Sequence, residues 1–371
     1  MNQSDRIAAL IDVIRAEKLS AILAFSSATH HVDWGDAISL ICGFKPLGPC
    51  MIAVSPDGEI RLLVSPEWDL ARAREHAGAD AVSAASDLQQ ELDRFLKDAR
   101  KGGKVGLVDL DMMPNRFAAT VRSLLGNAAV DVSKQAYLAA ARKTDDEIEN
   151  ARMATDIAER TLTHLIDITK PGLAECDVAA ELKLYSKKLG ADDNFMMFHA
   201  GGHPLAVQPP SGRRFERGDL VLAEITPSYR GQFTQVCRTL CVGQATDLMN
   251  EKYELVARAM RNGIGWVKPG VPVSQICLGI DEVLRDAGYG QYCEPPYMNR
   301  RGHGLGISSI RPGNIALTND TLLEPGMFFV VHPNQYIPEV GYLLCGEPVL
   351  VTETGFEILA KSPAALISVD A

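Results

Sequence analysis

The densest group of chemically capable side chains lies in residues 218–239, GDLVLAEITPSYRGQFTQVCRT. Two extended runs, Leu220–Ile225 and Phe233–Cys241, flank Arg230-Gly231, which reads as the tight turn of a hairpin. If the turn has two residues, Glu224 pairs across the hairpin with Cys237, and Thr226 with Gln235. Side chains alternate along a strand, so these four share one face. That face offers a carboxylate, a thiol, a hydroxyl and an amide. It lacks a base active near neutral pH, for which imidazole is the usual choice. Four histidines are candidates: His199, His203, His303 and His332. His203 sits in the permissive loop Ala-Gly-Gly-His-Pro-Leu, with His199 four residues before it. For His332, in an apolar strand, the plain alternative is a packed structural imidazole. Buried cysteine usually behaves as a small hydrophobe. Cys237 becomes a nucleophile only beside an imidazolium that lowers its pKa.

The flanking sequence supplies elements to position this group. The first 140 residues alternate helical and strand patterns. A helix is expected over 5–17, with buried strands at Ala21–Phe25, Met51–Val54, Ile60–Val64 and Val105–Leu110. Ser55-Pro56-Asp57-Gly58 is a turn. A boundary falls near Lys143, where Thr144-Asp-Asp-Glu147 forms a capping box. Apolar residues at Ile148, Ala151, Ala154, Ala158, Leu162 and Leu165 then mark one face of a helix that Pro171-Gly172 ends. Helix 174–190, the hairpin, helices over 250–287 and strands over 327–360 follow. After residue 145 the order helices-then-strands occurs twice.

Three further blocks follow the hairpin: RGHGLG (301–306), LEPGMFFVVHP (323–333) and GEPVLVTETG (346–355). In order and spacing the four blocks resemble the superfamily of creatinase, aminopeptidase P and methionine aminopeptidase. LICGF (40–44) is similar to the N-terminal domain of creatinase and aminopeptidase P. The resemblance implies an α+β chain, with an α/β creatinase-like domain over residues 1–140 and a pita-bread catalytic domain over 141–371. It also implies a homodimer. Partner-reaching N-terminal domains in creatinase-like dimers give the His30-His31 pair a possible role beside its plain reading as a solvated turn.

Metal-dependent members of that superfamily bind two ions with Asp, Asp, His, Glu and Glu. Carried over, those positions fall on Glu224, Gln235, His303, His332 and Gly346, with Glu347 adjacent. Four carboxylates have become one, too few to balance two divalent cations in a partly buried site. A single ion on Glu224, His303 and His332 remains a valid donor set. The hairpin resembles that of creatinase, which works without metal. Cys237, however, stands where creatinase has a substrate-binding Glu, which argues against creatine. The superfamily's catalytic His before the hairpin falls on Val207. The resemblance therefore makes His203, four residues earlier, the preferred base or proton donor, with His199 its rival. The superfamily's later His-Glu pair falls on Ile310 and Arg311.

The expectation from these residues is a metal-independent, cofactor-free hydrolase of an amide- or ureido-like C–N bond in a small polar non-peptide compound. His203, His303, His332 and Glu224 carry its chemistry. Cys237, Gln235, Arg311 and Glu347 contact substrate, with Arg300 and Arg301 as weaker anion binders. The alternatives are a single-metal hydrolase, aminopeptidase or lyase on Glu224, His303 and His332, and a non-catalytic ligand-binding relative.

Bulk composition agrees with a globular enzyme. The 371 residues are 46% hydrophobic and 23% charged, and the net charge of −10 argues against nucleic acid as a partner. No run approaches the roughly 20 apolar residues that span a bilayer. The N-terminal residues do not resemble a signal peptide, and eight scattered cysteines form no C-x-x-C pair. A cytoplasmic protein with a small-molecule substrate and no membrane partner is expected.

Overall fold

The computed structural model describes residues 3–26, 37–307 and 313–369. Arg311, Ile310 and the His30-His31 pair lie outside the described residues. Two compact units divide the chain, Met1–Asp145 and Asp146–Ala371.

The first unit is built on a mixed sheet whose strands run in the order 82–84, 60–64, 50–54, 19–26, 104–108, 129–131. Its central strand, Leu19–Ser26, is buried along nearly its whole length, as its continuous apolar run requires. Leu88–Lys101 and Asn115–Leu125 are amphipathic helices. They put Leu88, Leu92, Leu96, Phe117, Val121 and Leu125 into one core with strand residues such as Leu23 and Leu107. The Ser55–Gly58 turn is closed by Gly58 N donating to Ser55 O at 3.0 Å, with Gly58 at φ +90°.

In the second unit we label α1 (Asp145–Ile168), α2 (Glu175–Lys188), β1 (Asp193–Gly201), β2 (Leu220–Tyr229), β3 (Val236–Val242), α3 (Asp247–Ile264), α4 (Ser274–Asp286), β4 (Gly302–Gly304), β5 (Phe328–Val331), β6 (Gln335–Ile337), β7 (Gly341–Leu343), β8 (Glu347–Val351), β9 (Phe356–Ile358) and β10 (Ile367–Val369). One sheet runs β10-β3-β2-β1, and a second runs β4-β5-β8-β9. The first sheet has a dry face. Met196, Phe198 and Ala200 of β1, Val221, Ala223 and Ile225 of β2, and Val236 and Leu240 of β3 pack there against Leu162 and Leu165 of α1 and Val178 and Leu182 of α2. Alternate residues of the same strands must therefore face the other way.

The hairpin register is the one its turn demands. Tyr229 pairs with Gln232, Ser228 with Phe233, Ile225 with Val236, and Glu224 with Cys237. Arg230 (φ +46°) and Gly231 (φ +80°) adopt the left-handed backbone typical of a two-residue hairpin turn.

The two sheets meet along a seam where Cys237 and Gly346 exchange backbone hydrogen bonds. Cys237 N donates to Gly346 O at 3.2 Å, and Gly346 N to Cys237 O at 3.0 Å. Arg238 clamps this seam from the face opposite Cys237. Its guanidinium has no exposed surface and donates to Cys237 O (3.0 Å), Gly346 O (2.9 Å), Glu347 Oε1 (2.8 Å) and Ser362 O (2.9 Å). Replacing one member of a buried ion pair leaves the other charge uncompensated. Arg238→Met is therefore expected to destabilise the protein by roughly 3–5 kcal/mol, measured by urea unfolding. A loss below roughly 1 kcal/mol would show that the clamp is dispensable.

Candidate functional site

The outward face of the first sheet, at the seam, gathers most of the predicted residues. Glu224 lies on β2, opposite Met197 on one side and Cys237 on the other. His303 is the middle residue of β4, paired with Val330 of β5, and His332 directly follows β5. The strand carrying His303 approaches β5 so closely that a Cβ on Gly302 would sit 2.1 Å from Val330 O, which only glycine tolerates. The His303 and His332 rings stand edge to face with centroids 5.3 Å apart.

Both imidazoles are buried, and burial sets their chemistry. His303 is pulled from an ordinary 6.5 to about 4 by loss of solvation. His332 is pushed well below its ordinary value, by burial first and then by His303. Near neutral pH both rings are uncharged. His303 Nδ1 lies 3.1 Å from Gly304 O; a carbonyl can only accept, so Nδ1 carries the proton and Nε2 keeps its lone pair. His332 Nδ1 is buried with no hydrogen-bond partner.

Glu224 is tied into this space by Asn334, whose Nδ2 donates to Glu224 Oε1 at 3.2 Å. Asn334 follows His332-Pro333 and sits at φ +43°, a conformation that asparagine tolerates better than most residues. Sequence reasoning missed Asn334. Its signal was an Asn two residues after a candidate histidine, in a turn sequence marked by proline. Tyr342, also missed, packs beside Cys237, Leu222, Leu344 and Val207. Burial and the nearby Glu224 carboxylate raise its phenol above the ordinary range. Val207, the position of the superfamily's catalytic His, is thus an apolar wall of the site.

Several predicted roles need correction. The Cys237 thiol is fully buried, and burial followed by Glu224 pushes it well above its ordinary range, so it is no thiolate nucleophile. Gln235 Nε2 lies 3.6 Å from its sulfur. Glu347 does not face substrate. It points to the other side of the sheet and binds Arg238, as a one-residue step from Gly346 requires. Burial raises it to about 7 against the pull of Arg238. His203 lies on an exposed loop with Nε2 2.9 Å from Pro338 O, so in this arrangement the nitrogen is engaged rather than aimed at Glu224. Arg301 is wholly buried and committed to Asp281, Pro333 O and Gln335, which anchors the loop bearing His332 and Asn334. Arg300 is exposed and bonds Asn314.

Residues 149–353 match the description "Metallopeptidase family M24", and residues 6–154 match "Creatinase/Prolidase N-terminal domain". The chain belongs to metallopeptidase family M24. An uncharacterized peptidase of Bacillus subtilis, YqhT, is 32% identical over 228 residues, 61% of this chain and 64% of that protein. The Xaa-Pro dipeptidase of Pyrococcus furiosus is 29% identical over 329 residues, covering 88% of this chain and 91% of that one. The prolidase of Pyrococcus horikoshii OT3 shares the fold with a TM-score of 0.85 at 23% identity, over 98% of this chain and 99% of that one. The pita-bread architecture and creatinase-like N-terminal domain are thereby shown. The expectation of a metal-independent hydrolase of a small non-peptide compound is overturned, because the family is one of metallopeptidases and the named relatives are peptidases. Creatinase-like specificity goes with it. Hydrolysis of a C–N bond, the coarser reading, is the chemistry of the family. No helix among the described residues is long and apolar enough to cross a membrane.

A pair of ions does not fit the residues present. A Cβ built on Gly346 would lie 2.7 Å from His332 Cβ and 3.0 Å from Cys237 Sγ, so a glutamate cannot stand there without displacing both. Gln235 is neutral. Among the described residues no three His, Cys, Asp or Glu side chains already converge as a ligand cluster. One ion fits the donor types better, since His332 offers a buried ring nitrogen without a partner and His303 a free Nε2.

The two kinds of buried group titrate in opposite senses. A depressed imidazole contributes stability above pH 6.5 that is lost as pH falls toward 4, and His303→Asn removes that loss. A raised carboxylate contributes stability below pH 4.5 that is lost as pH rises toward 7, and Glu347→Gln removes that loss. Urea unfolding across pH 4–8 is expected to show His303→Asn gaining on the parent below 6.5, and Glu347→Gln gaining between 4.5 and 7. Curves parallel to the parent would contradict the assignment.

Proposed function

We propose that this chain hydrolyses the C–N bond of a short peptide of the Xaa-Pro type, with a single divalent ion held by Glu224, His303 and His332. The observation that carries the reading is the pair of uncharged imidazoles 5.3 Å apart, one with an orphaned buried nitrogen, two residues before the Asn334 that binds Glu224. Similarity over most of the chain to a Xaa-Pro dipeptidase supports the substrate class. An ion on that donor set would supply Lewis-acid polarisation of the scissile carbonyl or of a water molecule.

The chain's own residues do the rest. Asn334 holds one oxygen of Glu224 in place. His303 is locked in one tautomer by Gly304 O, which is the arrangement that fixes ligand orientation in metal sites. The protonated Cys237 thiol and Val207 contribute shape. Gln235 and Tyr342 are the neutral polar groups available to a peptide amide. With so little negative charge in the site, a neutral amide suits it better than a polycationic ligand.

Calorimetric titration with Mn²⁺, paired with assay of Ala-Pro cleavage by proline release, tests this reading. One ion per chain is expected. His332→Ala is expected to abolish binding and to lower cleavage at least ~10²-fold, since a metal supplies several kcal/mol to the transition state. Two ions per chain, or cleavage unchanged in His332→Ala, would count against it.

A further inference from the structure

The site described so far lacks a group to carry the proton, because both of its imidazoles serve as candidate donors to an ion and position 207 is valine. Val207 lies in the apolar wall against Cys237 and Leu222. Another imidazole stands on the same face of the sheet. On β1, Met197 pairs with Glu224 and His199 pairs with Leu222. His199 is thus two residues along from the strand neighbour of Glu224, a Cα separation of roughly 7 Å.

His199 has an unusual backing. Its Nδ1 lies 3.2 Å from Glu175 Oε1, and Glu175 has no exposed surface. That carboxylate opens α2, where the helix N-terminus favours negative charge. It also accepts from Ala200 N (2.8 Å), Ser211 N (2.8 Å) and Ser211 Oγ (2.6 Å). Three donors hold the acid rigidly, and the imidazole leans on it. A carboxylate on the Nδ1 side favours the tautomer with the proton on Nδ1, the 3.2 Å approach being an ion-pair contact rather than an aligned hydrogen bond. Nε2 is then the nitrogen with the lone pair. His199 also lines a cavity of about 380 Å³ with His203, Gln208 and Arg213. Arg213 is paired with Asp219 at 2.6 and 2.9 Å, so it brings little net charge into the cavity.

We infer that His199 carries the proton in peptide cleavage and that Glu175 is its positioning residue, an inference that rests on the peptide-hydrolase reading above. As the oxygen of water bonds to the scissile carbonyl carbon, His199 Nε2 takes the water's proton. As the C–N bond breaks, Nε2 returns that proton to the leaving nitrogen. The products are a carboxylic acid and an amine, and the imidazole ends neutral as it began. The cavity beside the ring accommodates the departing portion of the peptide.

The test combines kinetics on Ala-Pro with long-range ¹H–¹⁵N spectra of the histidine rings in the full-length protein. His199→Gln is expected to lower kcat by roughly 10²–10⁴-fold, with KM changed only a few-fold. Added imidazole is expected to restore part of the activity of His199→Gly. In the parent protein the spectra should show His199 protonated at Nδ1, with the Nε2 resonance moving when Ala-Pro is added. Glu175→Gln should weaken that tautomer preference. If that variant does not fold, the parent spectra and His199→Gln still decide the matter. A parent-like kcat in His199→Gln, or a ring protonated at Nε2 and indifferent to Ala-Pro, overturns the inference. Should the parent protein fail to cleave Ala-Pro at all, the peptidase reading falls by itself. The spectra then judge His199 alone: an Nε2 that responds to the dipeptide supports its place in the site, and an unresponsive one refutes it.

Discussion

The arrangement of the site follows from the approach of two backbones at Cys237 and Gly346. Their paired hydrogen bonds join the two sheets, and the buried Arg238 guanidinium binds both carbonyls from behind. The approach is close enough that a side chain at 346 has no room between His332 and Cys237. One geometric fact thus removes a carboxylate from the family's metal set, seats His332 at the seam, and turns Glu347 to the opposite face.

Electrostatics then follow from burial. With few anionic groups left, the cost of holding charge away from water falls on whatever titrates there. His303 and His332 are driven toward their neutral forms and Cys237 toward its thiol. Glu224 keeps its place through Asn334. An M24 relative with a full carboxylate set has the negative charge for two cations; this seam has two neutral ring nitrogens and one carboxylate. The chain thus keeps the family's fold without the family's carboxylate set.

Much of this was legible in the residues. Arg230-Gly231 defines a two-residue turn, and period-two alternation then dictates that Glu224 faces the same way as Cys237. Four ordered blocks disclosed the architecture. The side-chain assignments that failed depended on distant contacts. Nothing local to Gly202-His203-Pro204 reveals that Pro338 O takes the imidazole nitrogen. Arg301 sits in the glycine-rich block beside His303, yet its partner Asp281 comes from α4, twenty positions earlier. The Glu175–His199 contact joins the start of α2 to the end of β1 across a sheet edge that no pattern of spacing predicts. The reaction class was misjudged for a different reason: loss of carboxylates was taken as loss of metal chemistry, whereas the chain belongs to a family of metallopeptidases.

The account stands most directly on how many cations the seam accepts. Anomalous diffraction from crystals soaked in Mn²⁺ would locate them by position. One peak within bonding distance of His332, with none beside Gln235 or Gly346, is the predicted result. A second peak at Gln235 and Gly346, or no peak near His332 at saturating Mn²⁺, would contradict it.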